Sequence, residues 1–285
     1  VGVLIFASLA LPTFFWRGTW FGSRLTDDQI REYLTDADNP RKTQHALERI
    51  TERIQKKDPG VDALLPLIPP LASHDRAEVR MMAAWAMGWD TSGEGFQDAL
   101  RKLTNDSVAL VQRNAALSLS KFGDRRSKPV LLSMLAPYNV KSPVTGTVSE
   151  LLRRGQPVRA GMVIAKIHKE DGTSIKIVAP VDGAVKRVAI ANEAKVSNND
   201  TLYELSPAQQ DMWEALRALV IVGDPQDIET IQTAANRYGT KPQLLEQAKM
   251  TCKAIKKRAK ENSTRKTSGY DEKKSMHFVC EKTFS

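Results

Sequence analysis

One β pattern is written twice in this chain. Ser142-Pro143-x-x-Gly146-x-Val148 is followed by Gly155-x-x-Val158-x-x-Gly161-x-x-Ile164-x-x-Ile167. Ala179-Pro180-x-x-Gly183-x-Val185 is followed by Val196-x-x-Asn199-x-x-Leu202-x-x-Leu205. The offset is 37 residues and becomes 38 after one inserted residue. Pro143 thus matches Pro180, Gly146 matches Gly183, Val158 matches Val196 and Gly161 matches Asn199. Asn is the best non-glycine residue where φ must be positive. Short strands with glycine turns, set down twice, call for a β domain of two quasi-equivalent halves.

The flanking segments have helical periodicity instead. Thr26-Asp-Asp-Gln29 reads as a capping box. Asp38-Asn-Pro40 punctuates the chain, and Ala46, Leu47, Ile50 and Ile54 then recur at helical spacing. After the Asp58-Pro-Gly60 turn, residues 61–74 predict an apolar helix ending near Pro69-Pro70. A second repeat follows. Val79, Ala83, Ala84 and Met87 align with Val111, Ala115, Ala116 and Leu119 at an offset of 32. Each copy is preceded by an acidic turn, at Asp75 and Asp106, and followed by a shorter helix, over 96–103 and 127–136. Self-similarity at this period signals a helical solenoid. After the β segment, Ser206-Pro207 is expected to open a helix, 227–239 forms another, and Thr240-Lys-Pro242 opens the last. Leu244, Leu245, Ala248, Cys252 and Ile255 lie on its apolar stripe.

Both repeats carry resemblances. The pattern D-x-x-x-V-R-x-x-A-A-x-A-x-G, at Asp75, Val79, Arg80, Ala83, Ala84, Ala86 and Gly88, resembles HEAT repeats over about residues 40–137. In the second copy Gln112 replaces the Arg and Ser120 the Gly. The two half-motifs over about 139–206 resemble the biotinyl/lipoyl-attachment fold, which implies a flattened β-barrel of two interlocked halves. That resemblance also implies an acceptor lysine at a hairpin tip. Eight residues before Pro180 stands Gly172, and Lys169 lies three residues earlier without flanking methionines. Modification of Lys169 is therefore the weak reading and a barrel kept for binding or spacing the stronger one. Membrane-fusion adaptors of efflux systems share the fold, but a long helical hairpin separates their half-motifs; only about seven residues lie between Ile167 and Ile175 here.

Residues 1–16, VGVLIFASLALPTFFW, carry no charge. Such a helix spans about 24 Å, slightly short of a ~30 Å hydrocarbon core. Because the chain opens on Val1, residues are expected upstream. Trp16, Arg17, Trp20 and Phe21 are the residue types of a headgroup boundary. Bulky Phe14, Phe15 and Trp16 do not suit a signal-peptidase site. Arg17, Arg24 and Arg31 follow the segment, which favours a cytoplasmic location for the rest. The expectation is a single-pass protein of a bacterial inner membrane. Net charge is +9, and residues 253–274 supply six of it with nine Lys/Arg against three Asp/Glu. Lys256, Lys257, Arg258, Lys260, Arg265 and Lys266 are the candidate contacts to an anionic partner or lipid. An aromatic content of 6% and no recognised module speak against nucleic acid.

Catalytic chemistry finds no foothold. Two cysteines, Cys252 and Cys280, exclude a disulfide scaffold, and four scattered histidines do not gather a metal centre. Walker-type, G-x-G-x-x-G, G-x-S-x-G and H-E-x-x-H motifs are all missing. No catalytic, cofactor or metal residue is assigned, and no small-molecule substrate. The expected architecture is multi-domain α plus β: a transmembrane anchor over 1–23, HEAT-like repeats over 24–138, an inserted biotinyl/lipoyl-like β-barrel over 139–206, C-terminal helices over 207–262 and a flexible basic tail over 263–285. The expected function is a non-catalytic accessory or scaffolding subunit of an integral membrane protein complex, with a respiratory or photosynthetic host suggested by analogy and the lipid bilayer as a second partner. The alternatives are a membrane-fusion-type transport adaptor and a biotinyl/lipoyl carrier protein.

Overall fold

A computed structural model describes residues 25–36 and 39–281, with side chains through residue 264. The chain divides into two compact units between Phe122 and Gly123.

The first unit is helical. α1 (Asp27–Thr35) starts at a complete capping box: the Thr26 hydroxyl accepts from Gln29 N–H, and the Gln29 amide oxygen accepts from Thr26 N–H. Asn39 caps α2 (Pro40–Gln55), with Pro at its first position. The helix expected over 61–74 does not form. Three 3-10 turns, Pro59–Val61, Leu65–Leu67 and Pro69–Ser73, take its place. Pro66, Pro69 and Pro70 lack the N–H that an α-helical ladder needs, and short 3-10 pieces tolerate that. α3 (Ala77–Met87), α4 (Phe96–Leu103) and α5 (Ala109–Lys121) complete the unit. α3 packs against both α2 and α5, so these three lie side by side, backed by α1, the Pro69–Ser73 turn and α4.

The 32-residue repeat is realised as packing. Val79, Ala83, Ala84 and Met87 are fully buried, and so are Val111, Ala115, Ala116 and Leu119. Paired alanines let α3 and α5 approach closely. Arg80 ties the repeats together: Nε and Nη2 donate to the two Asp106 oxygens at 2.6 and 2.9 Å, and Nη1 donates to the His74 and Asp75 carbonyls at 2.8 and 2.9 Å. In the second copy Gln112 stands where Arg80 does and donates to the Asp106 carbonyl.

The second unit begins with the short α6 (Lys128–Ser133) and continues with eight strands: β1 (Tyr138–Lys141), β2 (Gly146–Ser149), β3 (Pro157–Val158), β4 (Val163–His168), β5 (Ser174–Val178), β6 (Gly183–Val188), β7 (Lys195–Val196) and β8 (Thr201–Pro207). The expected closed barrel is corrected here. The strands form two separate four-stranded antiparallel sheets, ordered β1-β8-β6-β3 and β5-β4-β2-β7. Closure needs a continuous ladder around the ring. β3 and β7 are two residues long, and both they and β1 and β5 remain sheet edges.

Advancing every strand by four converts one sheet order into the other, so the 37-residue repeat maps sheet onto sheet. The halves exchange strands: Gly146 of the first pairs with Val196 of the second, and Gly183 with Val158. Both glycines are needed for close approach. A Cβ on Gly146 would collide with the His168 carbonyl oxygen, and one on Gly183 with that of Ser206, its counterpart after the insertion. Gly161 and Asn199 both hold positive φ, at 81° and 72°. Tyr203, fully buried on β8, donates to the Ile164 carbonyl of β4 at 2.7 Å and accepts from Leu152 N–H at 2.8 Å, which links the two sheets.

Ser206 and Pro207 do not open a helix. They finish β8, because Ser206 pairs with Ala184 and its hydroxyl donates to the Ala184 carbonyl. α7 (Gln209–Val222), α8 (Ile228–Tyr238) and α9 (Pro242–Glu281) follow. The backbone of α9 runs past Asn262 as helix to Glu281. Its amphipathic start supplies a nucleus, and extension then costs little per residue.

Among the described residues no helix is long and apolar enough to cross a membrane. The transmembrane helix placed over 1–23 lies outside the described residues. The fold is therefore corrected to a mixed helix-and-sheet chain with no described membrane span, and the single-pass inner-membrane placement is withdrawn with it.

Candidate protein-interaction site

The three inner helices of the first unit build an apolar cleft of about 330 Å³. α3 contributes Met81, Met82 and Trp85, α2 contributes Glu48, and α5 contributes Asn114. The positions follow from the repeat. On α3 the residues Val79, Ala83, Ala84 and Met87 turn inwards, which leaves Met81, Met82 and Trp85 on the opposite flank. Trp85 is 37% exposed and Trp89 43%. Their rings meet edge to face, with centroids 5.8 Å apart and planes at 82°. Lys121 stands over the Trp89 ring, with Nζ 4.9 Å from the centroid, and donates to the Gly88 carbonyl at 2.9 Å. The cation thereby fixes one indole of the pair. Asn114 Nδ2 donates to Leu110 O at 3.0 Å, and Glu48 faces Arg49 at 3.4 Å.

Large apolar side chains at the surface in a group mark contact sites, whereas single ones are ordinary. Met suits such a face because its unbranched thioether adapts to the partner's shape. Sequence reasoning used this stretch for its repeat and passed over the exposed members. The signal was present: at offset 32, Met82 corresponds to Asn114 and Trp85 to Leu117, positions outside the buried pattern that carry large apolar groups in the first copy.

The structure distributes the sequence candidates as follows. Trp16, Arg17, Trp20 and Phe21 lie outside the described residues. Lys256, Lys257 and Lys260 are exposed on α9. Arg258 is not: it is half-buried, and its guanidinium donates to the carbonyls of Val220 and Gly223. Arg265 and Lys266 are on the α9 backbone, their side chains outside the described set. Lys169 closes the β4–β5 hairpin. Its N–H donates to Thr173 O, and its ammonium pairs with Asp171 at 3.0 Å. The Asp171 carboxyl is pulled down to about 2 by the Thr173 hydroxyl and N–H and then by Lys169.

Two further groups bear on chemistry. Ser149 Oγ lies 2.8 Å from His168 Nε2, and Ser174 Oγ 2.7 Å from His168 Nδ1. Both ring nitrogens are thus taken by hydroxyls. Cys252 is buried on α9, and burial pushes its thiol pKa up, away from the reactive thiolate. Among the described residues no group of three His, Cys, Asp or Glu could hold a metal ion.

The family described as HEAT repeats matches residues 64–142. This stretch is HEAT-like. The match covers α3, α4 and α5 and so takes in Met81, Met82, Trp85 and Asn114 of the cleft, but not Glu48 on α2. No curated protein matches the chain. Among solved structures, a single-chain, multi-domain long-chain acyl-CoA carboxylase is 17% identical over 36% of this chain, with a TM-score of 0.24. The chain spans 11% of that protein's length, and a likeness of this degree carries no argument. The matched stretch is a helical repeat segment, and repeats of this kind generally serve protein–protein interaction.

Proposed function

We propose that the protein is a non-catalytic scaffold that holds a partner protein on the α2–α3–α5 face of its HEAT-like unit. The observation that carries this reading is the exposed Trp85–Trp89 pair, flanked by half-buried Met81 and Met82, on one side of a helical repeat. Stacked repeats create extended surfaces, and Trp is the residue type most enriched among those whose loss costs most at an interface. The narrower role in a respiratory or photosynthetic complex has no described residue in its support. Lys169, paired with Asp171 and without methionine neighbours, gives no support to the carrier alternative.

The test is a double substitution, Met81→Asp with Trp85→Asp, in the full chain expressed at its native level. The wild type is expected to co-elute with a defined partner on gentle extraction and sizing. The variant should lose that partner, with affinity reduced at least about thirtyfold, while keeping its helical content. Lys176→Asp, on β5, should leave the partner bound. If the double variant kept the same partner at the same affinity, this face would not be the docking site and the proposal would fall.

A further inference from the structure

α9 turns one continuous basic edge to solvent. Lys249, Lys253, Lys256, Lys257 and Lys260 are all exposed. At 3.6 residues per turn these five fall within an arc of roughly 100°, and Lys249 to Lys260 covers about 16 Å of helix. The rotation of this edge is fixed by the other side of the helix. Leu244, Ala248, Thr251, Cys252 and Ile255 are buried, Thr251 donates to Leu216 O at 2.9 Å, and Arg258 clamps the C-terminal end of α7.

The charge of the edge is poorly compensated. Lys249 meets Glu246, and Lys257 meets Glu261, only at 3.9 Å. Lys253, Lys256 and Lys260 have no ion pair among the described residues. Met250, 57% exposed, sits at the border of the same arc.

The chemistry of the edge selects among anionic partners. Every cation in it is lysine, a point charge on a flexible stem, whereas the planar fork of arginine is what rewards fixed carboxylate or base-edge geometry. A fluid sheet of phosphate headgroups demands charge and no fixed geometry. The exposed apolar neighbour is Met250, a side chain that can dip between headgroups, and no aromatic stands among these lysines on which a nucleobase would stack. We infer that the Lys249–Lys260 edge of α9 is a peripheral docking surface for anionic phospholipid headgroups. The contact lies on the membrane surface and needs no crossing helix.

The experiment is co-sedimentation of the full chain with vesicles of phosphatidylcholine alone, and of phosphatidylcholine with phosphatidylglycerol at about three to one. Binding is expected to the anionic vesicles and to weaken as salt is raised. A basic residue near such a surface is worth roughly fivefold, so Lys253→Gln, Lys256→Gln and Lys260→Gln together should lower partitioning on the order of a hundredfold. Lys57→Gln, Lys176→Gln and Lys195→Gln remove the same charge from exposed sites elsewhere and should cost less than about fivefold. If the first triple variant failed to fold, Lys256→Glu alone should still lower partitioning by about twentyfold. Equal binding to neutral vesicles would assign membrane contact to another part of the chain and overturn the inference. Equal losses in both triple variants would reduce it to overall charge. Binding of single-stranded polynucleotide through these lysines, with none to vesicles, would make the edge a nucleic-acid surface instead.

Discussion

Arg80 and Asp106 are 26 residues apart in sequence and only 14% and 7% exposed as side chains. Their paired hydrogen bonds make one turn of the repeat hold the next. The Asp106 carboxyl lies below its ordinary 3.8 because the Arg80 hydrogen bond holds the ionised form, with help from Val108 N–H and against the effect of burial. A carboxyl depressed on folding stabilises the native state above the unfolded value and loses that contribution as pH falls through the folded one. Asp106→Asn should therefore destabilise the protein by about 2 kcal/mol at pH 7. The gap from wild type should shrink below pH 3.8, as urea midpoints across the acid range would show. A second residue-scale prediction concerns Gly183. An added methyl group meets a backbone carbonyl that cannot rotate away, so Gly183→Ala should cost about 1–3 kcal/mol in the same assay.

At the scale of elements, α6 has six residues and could not persist alone. Lys128, at its start, is what ties it down. Its ammonium meets Asp224 at 2.8 Å and Asp227 at 3.2 Å, in the capping box that precedes α8. Burial alone would lower the Lys128 pKa, but the two carboxylates outweigh it and raise it. Lys128→Ala leaves Asp227 buried beside another carboxylate, which should cost about 2–3 kcal/mol. Hydrogen exchange should show the loss first in α6 and at the α8 start. Elements also show where reading from sequence succeeds. The Thr26 capping box is a local matter, decided within one turn by side chains that reach their own backbone. Residues 61–74 and Ser206-Pro207 depart from the helices their sequence predicts because proline suits several local states. Tertiary partners decide among those states, here the Pro69–Ser73 packing on α3 and the Ala184 ladder.

At the scale of the molecule, two unrelated repeats share one chain: the paired helices α3 and α5 lie in the first unit and the β repeat in the second. In the helical unit the repeat leaves one flank free for the Met81, Met82 and Trp85 cleft. Trp85 and Trp89 therefore offer a direct readout: partner binding should shift their fluorescence to the blue and shield it from a soluble quencher, and Met81→Asp should abolish both changes. A helix-rich chain whose tryptophan emission ignored the partner would count against the cleft.

What the sequence alone determined is periodic. Apolar residues at helical spacing, alanine pairs at offset 32, and glycine or asparagine at matched positions of two β halves are local or repeated constraints. Each recurs often enough to be read without a structure. Gly161 and Asn199 share a positive φ because both turns need the same backbone bend. What only the tertiary structure decided is pairing at a distance. It sent Gly146 to Val196 and Gly183 to Val158, left two sheets in place of a closed barrel, and joined them through buried Tyr203. It also withdrew Arg258 from the basic edge and turned Trp85 outward. A side chain's burial depends on which element comes to rest against it, and that is set by the packing of the whole unit rather than by its neighbours in sequence.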